Sequence, residues 1–315
     1  MKAAVIDKFG PASELEIRDV PMPIIAPDQI LVEVYAASVN PIDWKIRDGL
    51  MGGRYGEEFP MILGLDASGV VAEVGAEVVE FKKGDEVFGR SDISAGKCYA
   101  EYVALNPGTV ALKPPELSHV EAGAMPLVAL TALAGFRECA NLTAGDRILI
   151  IGASGGVGVY AVQIAKLMGA EVTAVCSTRN LDLVKELGAD RLIDYTSEDV
   201  LKADDQYDLI YDAVGEQTYE AAKQALSKNG IYMTLVPVPG IEFFIPGESK
   251  RVDGCGYFVA WKPHASDLRI LAAWASEGSL RSVIDSEFAL DEIRQAHEHS
   301  QTLRARGKIA IRVKI

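Results

Sequence analysis

Three features of this 315-residue sequence predict an α/β fold in which a β-rich domain accompanies a doubly wound parallel sheet. The first 115 residues alternate short Val- and Ile-rich segments with Gly, Pro and Asp turns, as in a small barrel or sandwich. After residue 115, strand-like and helix-like segments alternate, which is typical of a parallel sheet covered by helices. A glycine-rich stretch at 152–158 separates one such strand from the next helix.

The order of elements follows from the positions of the apolar segments. In the β-rich part we expect strands at 3–6, 30–37, 69–74, 86–88 and 100–103. Beyond it we expect strands at 147–151, 171–176, 191–194, 209–213 and 231–236. Helices are expected at 116–138, 157–168, 181–187, 219–227, 267–277 and 291–302, before a closing strand at 308–313. The tail is predicted to return to the first domain, so the domains comprise 1–115 with 258–315, and 116–257.

Composition and charge exclude several classes of function. The formal net charge is −14 and the isoelectric point is near 4.8, which argues against sequence-independent nucleic-acid binding and docking on anionic membranes. No apolar stretch reaches the roughly 20 residues of a membrane span, and the N-terminal segment MKAAVIDKFG does not resemble a secretory signal. The 4 cysteines form no CxxC motif, so we expect reduced thiols and a cytosolic protein.

The glycine-rich stretch predicts a dinucleotide site. Glycines permit a tight turn and close approach of the backbone to a pyrophosphate, whose charge then lies at the positive end of the following helix. The residues expected to bind the cofactor here are Gly152, Ser154, Gly155, Gly156, Val157 and Gly158. The alternative is a glycine-rich turn that only packs the helix on the sheet.

The end of the second strand favours NADP over NAD. An NAD site usually places Asp or Glu there, about 20 residues beyond the loop, to bind the ribose 2′-OH. This strand instead ends at Cys176, and the next residues, Ser177, Thr178 and Arg179, offer hydrogen-bond donors and a positive charge for a 2′-phosphate. An ordinary polar loop is the alternative.

Several motifs, in order along nearly the whole chain, resemble the medium-chain dehydrogenases/reductases. They are SVNPIDWK at 38–45, GLDASG at 64–69, GASGGVG at 152–158, CSTRN at 176–180 and RGKI at 306–309. The chain is most similar to the zinc-free quinone oxidoreductase branch and, within it, to alkenal/enone reductases. The resemblance implies a GroES-like catalytic domain, a Rossmann domain and a homodimer.

The same resemblance provides a test for zinc. Zinc alcohol dehydrogenases of this family have Gly-His-Glu where this chain has Gly64, Leu65 and Asp66, and a cysteine near the position of Asn40 or Asp43. Leucine cannot bind zinc, and a catalytic zinc needs three N, S or O protein ligands. We therefore expect no metal.

The resemblance also implies site residues. Asn40 and Asp43 match positions near the nicotinamide, and we expect a hydrogen-bonding role for Asn40 and a structural or water-ordering role for Asp43, with loop chemistry as the alternative. Lys45 is expected either to stabilise enolate charge or to lie solvated on the surface. Tyr55 and water are alternative proton donors. Further cofactor-binding positions implied by the family are Thr131, Tyr195, Val214 and Phe258.

The function expected from these residues is hydride transfer from NADPH to a quinone or an α,β-unsaturated carbonyl without zinc. Such acceptors are electron-poor before they bind, so the protein mainly supplies orientation, a dry pocket and a donor for the developing enolate. An enoyl-thioester reductase and a non-enzymatic NADPH-binding protein are the alternatives, because a fold does not determine a function.

Overall fold

The chain forms two compact units in a computed structural model that describes residues 1–51, 58–92, 96–201, 206–244, 252, 254–259 and 264–314. One unit comprises Met1–Leu130 and Pro263–Ile315, and the other comprises Thr131–Lys262. The sequence places the boundaries at 115/116 and 257/258 instead. The first boundary moves because the helix at His119–Ala124 packs on strands of the first unit, so it belongs there.

The strands of the first unit form two mainly antiparallel sheets, and those of the second unit form one parallel sheet. In chain order the strands are β1 Lys2–Ile6, β2 Glu16–Asp19, β3 Ile30–Val39, β4 Met61–Ile62, β5 Asp66–Val74, β6 Glu86–Arg90, β7 Tyr102–Leu105, β8 Val110–Leu112, β9 Arg147–Ile151, β10 Glu171–Cys176, β11 Arg191–Asp194, β12 Tyr207–Asp212, β13 Leu226–Thr234, β14 Glu242–Phe244, β15 Gly256–Val259, β16 Ile284–Ala289 and β17 Lys308–Arg312. The predicted combination of a β-rich domain and a parallel-sheet domain is confirmed.

The parallel sheet has the strand order β11-β10-β9-β12-β13-β15-β14 among the described residues. Its interior strand β9 is apolar from Ile148 to Ile151, and Ile148, Leu149 and Ile150 are inaccessible to solvent. A strand that is covered on both faces needs such a run rather than an alternating pattern. The sequence analysis missed β14 and β15, because each is short and lies at or next to an edge of the sheet.

The helices are α1 Pro41–Arg47, α2 His119–Ala124, α3 Pro126–Ala134, α4 Gly158–Leu167, α5 Leu181–Glu186, α6 Tyr219–Ala222, α7 Ala265–Ser276 and α8 Ile293–Gln301. The helix predicted over 116–138 is divided, because Pro126 lacks an N–H group and begins a new helix. The helix predicted over 219–227 is shorter, since β13 begins at Leu226, which pairs with Tyr207 of β12. No helix in the described ranges is both long and apolar enough to cross a membrane.

The final strand brings the C-terminal segment into the first unit, as the sequence predicts. In β17, Ile309 pairs with Val39 and Ala310 with Ser38 in antiparallel register, while Ile309 and Ile311 enter a core that contains residues of β1 and α8. This pairing places Lys308 beside the end of β3, where α1 begins. The register therefore joins side chains that are far apart in the sequence.

Candidate active site

The glycine loop between β9 and α4 has room for glycine alone at two positions. Gly152 has φ +81°, and a Cβ built there would lie 2.5 Å from Val214 Cγ2. A Cβ on Gly158 would lie 2.1 Å from the carbonyl oxygen of Gly152. The loop, the start of α4 and the loop after β12 therefore approach one another more closely than any side chain at 152 or 158 would allow.

This loop leaves backbone donors at the beginning of a 10-residue helix. The Gly155 N–H bonds to Gly152 O at 3.0 Å, whereas no acceptor contacts the N–H groups of Gly156 and Val157 within the described part of the chain. Unpaired N–H groups at a helix N-terminus bind anions. The geometry therefore fits the pyrophosphate of a dinucleotide, and the assignment of these residues to the cofactor stays a prediction.

A buried amide connects the glycine loop with the loop that follows β10. Asn180, which is only 6% exposed, donates from Nδ2 to Ser154 Oγ at 2.9 Å and to Ser177 Oγ at 3.4 Å. The sequence analysis assigns both serines to the cofactor but not Asn180. The structure brings the two serines together through this amide.

Thr178 differs from the prediction that its hydroxyl donates to a phosphate. Its Oγ1 donates instead to Asp194 Oδ2, and the other oxygen of Asp194 accepts the Thr196 N–H at 2.9 Å. The Thr178 bond, followed by those from Thr196, lowers the pKa of Asp194, so this carboxylate is ionised. Asp194 ends β11 beside Cys176 of β10. The sequence analysis considered only the end of β10 and therefore overlooked Asp194, although the carboxyl ends of parallel strands lie at one edge of the sheet.

The other predicted cofactor residues lie in different surroundings. Arg179 and Tyr195 are exposed, and Thr131 is buried in α3. The backbone of Phe258 lies in β15 beside Thr234. The Val214 N–H bonds at 2.9 Å to Asp212, a buried carboxylate that the sequence analysis missed.

Asp212 fixes the loop that follows β12. Its Oδ1 accepts the N–H groups of Val214 and Gly215 at 2.9 and 2.7 Å, and its Oδ2 accepts the Tyr232 hydroxyl at 2.9 Å. The Val214 side chain packs against Gly152 and leaves no space there for a Cβ. By fixing the backbone of Val214, the Asp212 carboxylate therefore makes glycine necessary at 152. An Asp at the end of a buried strand was the available sequence signal.

In the first unit, α1 begins at the predicted catalytic residues. The Asp43 Oδ2 accepts the backbone N–H of Asn40 at 2.7 Å, and Pro41 occupies the first helical position, where its missing N–H costs nothing. The spacing of Asn40 and Asp43 is therefore that of a helix start. This arrangement fixes both side chains on a rigid element.

The hydrogen bonds of the Asn40 side chain in this structure are made inside the protein, and its expected role near the nicotinamide stays a prediction. It is 0% exposed, its Nδ2 donates to Asp66 Oδ2 at 2.8 Å, and its Oδ1 accepts from Lys308 Nζ at 2.6 Å. Both ends of the amide are thus engaged by a buried anion and a buried cation. Asn40 connects strand β17 to strand β5 through these bonds.

Asp66 is the centre of this network. Its Oδ2 also accepts from Ser38 Oγ at 2.8 Å, its Oδ1 accepts the Leu127 N–H at 2.8 Å, and Lys308 Nζ lies 3.9 Å from Oδ2. Burial lowers the pKa of Lys308, while the charge of Asp66 raises it again. Sequence analysis did not identify a partner for Lys308, because the bonded residues Asn40 and Lys308 are 268 positions apart.

Asp43 is adjacent to this network. Its Oδ2 also accepts the Tyr99 hydroxyl at 2.8 Å, whereas its Oδ1 is buried with no hydrogen-bond partner among the residues that the structure describes. Burial raises the pKa of Asp43 to about 7, against the lowering effect of its hydrogen bonds. Tyr99 itself packs against Gly64, where a Cβ would lie 2.5 Å from the tyrosine ring.

Lys45 follows Asp43 on α1. It is half-buried, its Nζ lies 5.6 Å from the centre of the Trp44 ring, and no carboxylate pairs with it within the described ranges. Burial lowers the pKa of Lys45. A partly desolvated, unpaired ammonium fits a group that binds negative charge. Tyr55, the other predicted donor, lies outside the described residues.

Replacing Asp43 with Asn is expected to change how stability depends on pH. Asp43 has an ordinary pKa of 3.8 and a folded pKa of about 7, so between these values only the folded state retains the proton. The stability of the wild type should therefore fall by roughly 1 kcal/mol per pH unit from pH 4 to 7, through this group alone. Urea denaturation at several pH values should show a flatter curve for Asp43→Asn. Parallel curves would show that Asp43 is ionised in the folded protein.

The glycine loop, its unpaired N–H groups and the parallel sheet define the second unit as a Rossmann-type dinucleotide-binding domain. The comparisons agree with this class. Residues 26–115 match the family described as alcohol dehydrogenase GroES-like domain, and residues 187–311 match zinc-binding dehydrogenase. The chain belongs to the medium-chain dehydrogenase/reductase superfamily of oxidoreductases.

Similar proteins include both reductases and quinone oxidoreductases. The Homo sapiens protein named NAD(P)H oxidoreductase RTN4IP1, mitochondrial, is 36% identical, over 99% of this chain and 89% of its own length. The 2-methylene-furan-3-one reductase of Solanum lycopersicum is 35% identical, over 99% of this chain and 79% of its own. The solved quinone oxidoreductase of Coxiella burnetii is 33% identical with a TM-score of 0.87, covering 100% and 99% of the two chains.

The residues at the family's zinc position do not fit a catalytic zinc ion. Leu65, where the zinc enzymes have histidine, is a buried hydrocarbon side chain. The neighbouring Asp66 accepts hydrogen bonds on both oxygens and lies beside the Lys308 ammonium. No cluster of three His, Cys, Asp or Glu side chains suitable for a metal occurs in the described part of the chain. A catalytic zinc ion needs three protein ligands, and Leu65 and Asp66 supply neither of the two that the zinc enzymes have at these positions.

Proposed function

We propose that this oxidoreductase uses NADPH to reduce a quinone or an α,β-unsaturated carbonyl compound without zinc. Two observations together carry the proposal. One unit has a dinucleotide loop, and the other has, at the family's zinc position, Leu65 and an Asp66 whose two carboxylate oxygens both accept hydrogen bonds. Without a Lewis acid, the acceptor must be electron-poor before it binds. The reductase and quinone oxidoreductase names of the similar proteins support this substrate class.

The reaction requires one hydride and one proton. NADPH would supply the hydride, which for an enone adds at the β-carbon while charge develops on the carbonyl oxygen. We assign Lys45 the task of stabilising that oxygen, because its ammonium has no carboxylate partner within the described ranges and is partly desolvated. Tyr55 or water would supply the proton. The products are the saturated ketone and NADP⁺.

NADPH oxidation by the purified protein, with a panel of enones and quinones and excess chelator, tests this proposal. We expect turnover that the chelator does not reduce, and a kcat about tenfold to a hundredfold lower in Lys45→Met, since an oxyanion loses its stabilising charge. The KM for NADPH should be unchanged. Oxidation with enoyl thioesters alone, or recovery of activity only with added zinc, would contradict the proposal, and binding of NADPH without any turnover would favour a non-enzymatic role.

Replacing Arg179 with Ala tests the preference for NADPH. The exposed Arg179 follows Ser177 and Thr178 in the loop after β10, where a charge would pair with a 2′-phosphate. We expect NADPH affinity to fall about tenfold and NADH affinity to change little, because NADH lacks that phosphate. Fluorescence titration with both cofactors measures this difference. Equal losses for the two would remove Arg179 from the site.

The remaining parts of the proposal concern assembly and location. A homodimer and a cytosolic location stay predictions, as does the absence of nucleic-acid and membrane partners. The net charge of −14 supports the last of these, because phosphate-rich surfaces repel an acidic protein.

A further inference from the structure

Hydroxyl groups at the carboxyl edge of the parallel sheet use their protons in two different ways. The Asn180 Nδ2 donates to the hydroxyl oxygens of Ser154 and Ser177. Since each serine oxygen is the acceptor in these bonds, its own proton stays available. Neither serine hydroxyl has a protein acceptor within the described ranges, so the amide leaves two donors side by side.

Thr178 shows the opposite arrangement. Its hydroxyl proton goes to Asp194, whose carboxylate also accepts the Thr196 hydroxyl at 2.7 Å. A carboxylate that accepts these bonds lies in the part of the fold where a 2′-phosphate would bind. Thr178 therefore turns its donor away from the ligand, toward a fixed negative charge, and the serines are the hydroxyl donors that remain in this loop pair.

We propose that Asn180 is a positioning residue for cofactor specificity, holding Ser154 and Ser177 as paired hydroxyl donors for the 2′-phosphate of adenosine. The inference rests on the proposed use of NADPH. Asn180 itself is 6% exposed and acts through the serines. A carboxamide does this where a carboxylate would not, because only the amide has N–H groups with which to donate to both oxygens.

The variant Asn180→Asp tests this role with nearly the same shape. Its carboxylate accepts the protons of Ser154 and Ser177, which removes both donors and adds a negative charge. Calorimetric titration with 2′,5′-ADP and with 5′-AMP compares ligands that differ only by the 2′-phosphate. We expect affinity for 2′,5′-ADP to fall about tenfold or more, and affinity for 5′-AMP to fall less than about threefold.

Two further variants control the experiment. Asn229→Asp makes the same charge change at an exposed position, next to Gly230, which packs on Tyr207 at the start of β12 and so lies at the opposite edge of the sheet. It should leave both affinities within about twofold, because long-range charge effects are screened. Ser177→Ala removes one donor directly and should reduce affinity for 2′,5′-ADP about threefold to tenfold. This variant tests the donor pair even where Asn180→Asp does not fold.

The outcomes separate the inference from the proposed function. A wild type that binds 2′,5′-ADP no more tightly than 5′-AMP would overturn the preference for NADPH, and the inference with it. A selective wild type whose selectivity survives in Asn180→Asp and Ser177→Ala would overturn the inference alone. Equal losses for both ligands would assign the serines to the 5′-phosphate, which also overturns it.

Discussion

Gly158→Ala is expected to abolish dinucleotide binding and to lower the free energy of unfolding by about 2–4 kcal/mol. The added Cβ would lie 2.1 Å from Gly152 O and 2.6 Å from the backbone of Ala153. Contacts this short do not occur, so the loop must move, and the opposing atoms are backbone atoms that have no alternative rotamer. Gly152 is itself close-packed against Val214, which restricts that movement. Cofactor titration and chemical denaturation measure the two effects.

Gly155→Ala is the matched control within the same loop. Its Cβ would lie 3.4 Å from Gly152 O, which is an ordinary van der Waals contact. We expect the free energy of unfolding to stay within about 1 kcal/mol of the wild type. Equal destabilisation of the two variants would mean that the approach of α4 to the loop does not require glycine at 158.

The sequence predicts this loop well because the reasons for it are local. Gly152 and Gly158 are needed by a turn and a helix start that lie within seven residues, so their spacing alone indicates the geometry. The same holds for β9, whose continuous apolar run indicates a strand buried on both faces. Local steric requirements and burial patterns can therefore be predicted from a single sequence.

The hydrogen-bond networks were not predictable in this way. Asn40 reaches Lys308 across 268 positions, and Thr178 reaches Asp194 across a strand pair. Each partner is an ordinary polar residue in its own segment, and only the register of the sheets brings the pair together. The family resemblance identifies Asn40 and Asp43 as important positions, but it does not say which hydrogen bonds each side chain forms.

Lys308→Met is expected to lower the free energy of unfolding by about 3–5 kcal/mol. The substitution keeps most of the hydrocarbon stem and removes the ammonium that donates to Asn40 and lies 3.9 Å from Asp66. Asp66 is 0% exposed, so its carboxylate then stays buried without this charge partner. Removing one member of a buried ion pair leaves the other charge with less compensation, which makes it more damaging than removal of both.

A double-mutant cycle with Asp66→Asn tests that explanation. Asn keeps an acceptor for Ser38 and removes the negative charge, so the double variant should be about 1–3 kcal/mol more stable than the sum of the single effects predicts. Denaturation of all four proteins at one pH gives the coupling free energy. Additive effects would mean that Lys308 stabilises the unit only through the hydrogen bonds of its ammonium to Asn40 Oδ1 and to the Val39 carbonyl oxygen of β3. A positive coupling would instead show that the family's zinc position is occupied, in this chain, by a buried ion pair on which the folded first unit depends.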